Sequence, residues 1–221
     1  MKINPEVQGH SIVLVGNFNP KIFQPAWFAK EGLLKESDAN AAEIQLINSD
    51  VVVFYMSWLR LEVTLERFVV MTSQDPYHET LKRLVMETFR LLKHTPVHQM
   101  GINWNMDFKA SSKEKWNTIG HTLAPKDGIW KPLLKDPGLS SMTIQDAREN
   151  PAFPGHTNIT VRPSKKVDSG ILFDVNDHYH LPKSSDENGC SFMMDALQQN
   201  WEQSRERVQH VVSGVMENLY K

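Results

Sequence analysis

Cysteine is nearly missing from this chain. A single residue, Cys190, stands among 221. No internal disulfide can form, and a lone thiol suits a reducing compartment. An excess of either charge is missing too. Lys and Arg number 24 against 26 Asp and Glu, a formal net charge of −2, so nothing global draws the chain to phosphate backbones. Long apolar runs are absent. The densest, Val51 to Tyr55, is far too short for a membrane helix. The N-terminus, Met1-Lys2-Ile3-Asn4-Pro5, lacks the apolar core of a signal peptide. These absences predict a cytoplasmic protein with no membrane contact.

Catalytic signatures are also missing. There is no Gly-x-Ser-x-Gly turn, no Gly-x-Gly-x-x-Gly and no phosphate loop, which removes the local support for nucleophilic catalysis and for nucleotide use by those routes. Cys190 falls in a polar linker without a defined base, so it reads as a passive thiol. The chain predicts no cofactor.

What is present is strong patterning. Hydrophobic residues make up 40% and charged residues 23%, ordinary values for a chain that buries a core. The stretch Asp75 to Phe108 organises the rest. Asp75-Pro76 starts a helix, with Asp75 as its cap and Pro76 at its first position. Tyr77, Leu81, Leu84, Val85, Phe89 and Leu92 then recur at helical spacing. Glu79 and Arg83, four apart, are placed to pair. Thr95-Pro96 stops the helix. Beyond it Ile102, Trp104, Met106 and Phe108 alternate with Asn103, Asn105 and Asp107, which predicts a half-buried strand.

Similar elements recur on either side. Ile12 to Val15 reads as a buried strand, Pro25 to Leu33 as a short helix and Lys35 to Asn40 as a polar connector. Ile44 and Leu46, then Val51 to Met56, predict a strand or a hairpin, with Asn48-Ser49-Asp50 as the turn. Leu59 to Leu65 and Phe68 to Thr72 predict two further strands. In the second half Ser112 to Leu123 predicts a helix. Trp130, Leu133 and Leu134 are expected to tuck onto the core. Met142 and Ile144, Thr157 to Arg162, and Ile171 to Tyr179 read as strands, Lys183 to Gly189 as a polar linker. A last helix, Ser191 to Leu219, carries the stripe Met194, Leu197, Trp201, Val208, Val211, Val215 and Leu219, interrupted at Ser204.

The fold class these elements predict is α+β, built as two pseudo-repeats of β-α-β-β-β-α over residues 1–96 and 97–221. They form one compact duplicated domain, with antiparallel half-sheets side by side and the long helices on one face. This order of elements is similar to the duplicated saddle of TATA-binding-protein-like folds. The resemblance is topological and carries no site residues. Separately, Gln24-Pro25-Ala26-Trp27-Phe28, His94-Thr95-Pro96-Val97, Gly101-Ile102-Asn103 and Asn176-Asp177-His178-Tyr179 together resemble an uncharacterised family of bacterial proteins. That resemblance spans most of the chain and implies no particular activity.

Two polar sets are the candidate binding residues. Asp174, Asn176, His178 and His180 share one face of a strand, opposite Phe173, Val175 and Tyr179. Asn103, Asn105 and Asp107, with the Asn17 and Asn19 pair, form the other set. Histidines at i and i+2 can reach one metal ion, but a site needs a third ligand, and simple solvation of a polar strand face explains the same spacing. The small basic groups Arg162, Lys165 and Lys166, and Arg205 and Arg207, lie among acidic residues, which speaks against a nucleic-acid partner. The reading is therefore a non-enzymatic interaction or scaffold protein with a protein partner. A nucleic-acid or small-ligand module on a concave sheet face is one alternative. A metal-dependent enzyme centred on His178 and His180, with Asp174, is the other. The last helix, longer than one half-sheet, predicts a weak homodimer through Val211, Val215 and Leu219.

Overall fold

The computed structural model describes residues 4–148, 150, 152–182 and 189–220. Among them, nine strands form one antiparallel sheet, and five α-helices complete an α+β architecture. In chain order the elements are β1 (Val7–Gly16), α1 (Pro25–Lys30), α2 (Glu36–Asn40), β2 (Glu43–Ile47), β3 (Val51–Tyr55), β4 (Arg60–Thr64), β5 (Arg67–Thr72), α3 (His78–Leu91), β6 (Val97–Lys109), α4 (Lys113–Leu123), β7 (Met142–Arg148), β8 (Gly155–Pro163), β9 (Gly170–His180) and α5 (Ser191–Tyr220). The spatial order is β2-β3-β4-β5-β1-β6-β9-β8-β7. The sheet is continuous, so the expected pair of half-sheets is a single layer joined by the β1–β6 pairing. Four strands, not the expected three, separate the helices of the first half.

The period-two alternation sets one face of this sheet against the core. Phe54, Leu61, Val70, Ile12 and Ile102 lie in one row across five strands, and all are fully buried. The helices cover this face. Phe28 of α1 meets Phe54, Phe89 of α3 meets Phe68, and Trp201 of α5 meets Trp104. Ile119 of α4 lines a pocket with Val161 and Ile171. Each such fully buried side chain contributes roughly 1.5–3 kcal/mol relative to exposure.

Local signals act largely as their chemistry requires. Asn48 Oδ1 accepts the amides of Asp50 and Val51 at 2.8 and 2.9 Å, closing the β2–β3 hairpin. Ser112 Oγ accepts Lys115 N at 3.1 Å and caps α4. Asp75 departs from its expected role: it lies in a 3-10 turn, and its carboxylate sits 3.2 Å from His78 Nδ1. Glu79 does not pair with Arg83. It accepts the Trp201 indole N–H instead, tying α3 to α5. The connector Lys35–Asn40 contains α2, whose Ala39 is buried.

Four expectations are corrected by burial. Trp130, Leu133 and Leu134 do not reach the core; with Ile129 they stand exposed. Cys190 is not in an exposed linker. It is 2% exposed, and its Sγ lies 3.4 Å from Phe89 O. Burial pushes its thiol up, away from the thiolate. Ser204 does not break the α5 stripe, because its Oγ accepts Trp104 Nε1 at 3.2 Å. Towards its end the buried stripe runs through Val208, Val212, Met216 and Leu219, with Val211 and Val215 only half-buried. Leu219 is thus covered by its own chain. The linker expected at Lys183 to Gly189 lies, except for Gly189, outside the described residues.

Candidate polar sheet face

The face of the sheet opposite the helices is built by the same alternation. β6 and β9 are neighbours, and their register sets Asn103 against Asn176 and Asn105 against Asp174. His178 lies against Gly101, and His180 against Gln99. Six of the expected residues therefore share one open patch across two central strands. The row through Asn103 spans nine strands: Glu43, Tyr55, Arg60, Met71, Ser11, Asn103, Asn176, Asn158 and Gln145.

Side-chain amides run along this row. Asn176 Nδ2 donates to Asn103 Oδ1 at 2.6 Å, and Asn103 Nδ2 donates to Ser11 Oγ at 3.2 Å. On the far side Gln145 Nε2 donates to Asn158 Oδ1 at 3.0 Å. These bonds hold the amides in fixed orientations while leaving unused lone pairs and N–H groups on the surface. Gly101 matters here. A Cβ at that position would come within 2.8 Å of Asn176 Nδ2, so any other residue would displace the amide.

Beside the amides lies a histidine group. His178 and His156 are cross-strand neighbours with ring centroids 4.7 Å apart, and His180 follows at 6.1 Å from His178. Burial lowers the pKa of both His156 and His178, and the neighbouring cationic groups lower it further. Neutral imidazoles at close range give each ring one donor and one acceptor. Among the described residues no group of three His, Cys, Asp or Glu side chains is arranged to hold a metal ion. Asp174 is half-buried. Burial raises its pKa, opposed by Arg162 and by a hydrogen bond with Asn105.

Asp107 is an expected residue that stands apart. It is 1% exposed, and its Oδ1 accepts Ser164 Oγ at 2.6 Å. The same Ser164 Oγ accepts the amides of Lys166 and Val167. Its carboxylate is spent on fixing the turn before β9. That turn brings Lys166 to a concavity of about 420 Å³ at one end of the open face, with Ser11, Tyr55, Trp58, Arg60 and Asn105 among its walls. Asn17 and Asn19 lie past the end of β1, outside the patch.

Sequence reading missed Ser11, Arg60, His156 and Asn158, because only strand order and register bring them beside the expected residues. It also missed Asp177, for which a signal existed. Asp177 alternates in phase with Phe173, Val175 and Tyr179, so a charge had to enter the covered face. It is fully buried there. Its carboxylate accepts Arg207 Nη1 of α5 at 2.6 Å and Thr157 Oγ1 at 2.5 Å. Arg148 lies over the Tyr179 ring at 3.9 Å and donates to the His178 carbonyl. Gly155 makes room for it, since a Cβ there would meet both the His178 carbonyl and the guanidinium.

Compared with known proteins, the chain matches no family model and no curated protein.

Proposed function

We propose that this chain is a non-enzymatic interaction protein whose open sheet face holds a protein partner. The observation that supports it most is the one-sidedness of the fold. The helices that touch the sheet pack on one face, while the other presents a fixed amide row and three histidines across its central strands. Oriented amides and the neutral imidazoles of His156 and His178 recognise peptide groups and polar side chains. Arg60 and Arg162 share that face with Glu62 and Asp174, a mixture that suits a protein surface better than a phosphate backbone.

The internal duplication belongs to the same proposal. What supports it is the strand order: β3-β4-β5-β1 on one side of the centre is mirrored by β7-β8-β9-β6 on the other, and each half closes with a long helix. A weak homodimer through α5 is also proposed, resting on the half-buried Val211 and Val215 alone.

Site-specific photocrosslinking tests the partner site. A photoreactive side chain at His178 should yield a discrete adduct in an extract of the native host. The same group at Gln198, exposed on α5, should not. Adducts from Gln198 alone would place the contact on the helices and end the proposal.

A further inference from the structure

The helix side holds a second feature that the interaction reading does not use. Between α4, the segment after it and the ends of β8 and β9 lies a pocket of about 470 Å³. That is within the range of sites that enclose a small molecule. Trp116, Ile119, Leu123, Val161 and Ile171 give it apolar walls, and Trp116 is held in place by its indole N–H, which donates to Gly170 O at 3.0 Å.

One wall is a lysine that forms no ion pair among the described residues. Lys126 is 4% exposed, and its Nζ donates to the carbonyl of Gly120. An ammonium has three donors, and a buried charge is ordinarily matched by an opposite one. The adjacent Asp127 offsets the charge only in part, because its carboxylate pairs with Lys131 on the surface. Asp136 lines the pocket without forming an ion pair among the described residues. Lys113 lines it too, so cations outnumber carboxylates two to one. Burial lowers the Lys126 pKa, opposed by Asp127.

We infer that this pocket binds a small apolar carboxylic acid, its carboxylate on Lys126 and its hydrocarbon body against Trp116, Ile119 and Val161. The carboxylate supplies the missing counter-charge, and the chain displaces water from the apolar walls. A free inorganic anion would satisfy only the first need, and an alcohol of the same length only the second.

Calorimetric titration of the intact protein with octanoate, 1-octanol and inorganic phosphate tests this. Octanoate should bind saturably with one site per chain and quench Trp116 fluorescence, a signal lost in Trp116→Phe. Octanol and phosphate should each bind at least about tenfold more weakly, since each lacks one of the two interactions. Lys126→Met, which replaces the ammonium by an apolar group of similar length, should fold and lose the preference for octanoate over octanol. Lys126→Gln serves the same purpose if the methionine variant does not fold. No binding of octanoate, equal binding of octanol, or a preference that survives both substitutions would overturn the inference. These outcomes do not depend on the partner at the open face.

Discussion

His10 is enclosed by Trp104 and Trp201, with His78 at its edge. Neither ring nitrogen has a hydrogen-bond partner in the structure. Burial, with His78 close by, lowers its pKa from 6.5 to about 3. The unfolded chain takes up a proton near pH 6.5 and the folded chain only near 3. The stabilisation is therefore full above about pH 6.5 and is lost as pH falls towards 3. At about 1.36 kcal/mol per unit the effect is on the order of a few kcal/mol. His10→Phe should flatten this dependence, read as urea midpoints at about pH 7 and about pH 4.5. Parallel loss in both proteins would place the acid sensitivity elsewhere. At Asp177 the cost is of another kind. Asp177→Ala strands Arg207 and Thr157 and should destabilise by roughly 3–5 kcal/mol, whereas adding Arg207→Ala should cost clearly less than the two single losses together. Additive losses in denaturant melts would mean that the pair is not coupled. Asp177 was legible as an exception within an apolar phase. His10 was not, because nothing local distinguishes a core histidine from an exposed one before its neighbours across β6 and α5 are known.

Elements were legible wherever period and punctuation agreed. The β2–β3 turn, the Ser112 cap and the helix–strand order around Pro96 all follow from local chemistry. Periodicity could not say which neighbour an apolar residue finds. Trp130, Leu133 and Leu134 were expected inside because they are large and apolar, yet they stand exposed. On α5 a near-heptad stripe picks Val211 and Val215, while the 3.6-residue period of a straight helix turns Val212 and Met216 inward. The difference is one residue, and it decides what is left for a second copy. Sedimentation equilibrium over about a hundredfold concentration range should show mass rising above monomer, and Val211→Glu/Val215→Glu should restore the monomer while the protein stays folded. A constant monomer mass in the parent protein ends the dimer.

For the molecule as a whole, the sequence separates a covered face from a polar one, because alternation is a local property of each strand. It does not give the neighbours. That β6 lies between β1 and β9, and that β8 brings His156 beside His178, depends on long-range pairing. The central claim is that this polar face holds a protein partner, and quantitative co-purification from the native host tests it most directly. The parent protein and Glu202→Arg, altered on the exposed side of α5, should retain the same stoichiometric partner. Asn176→Arg, which projects a charge from the middle of the amide row, should lose it while keeping the parent's denaturant midpoint. Retention of the partner by folded Asn176→Arg, or its loss with Glu202→Arg, would contradict the account.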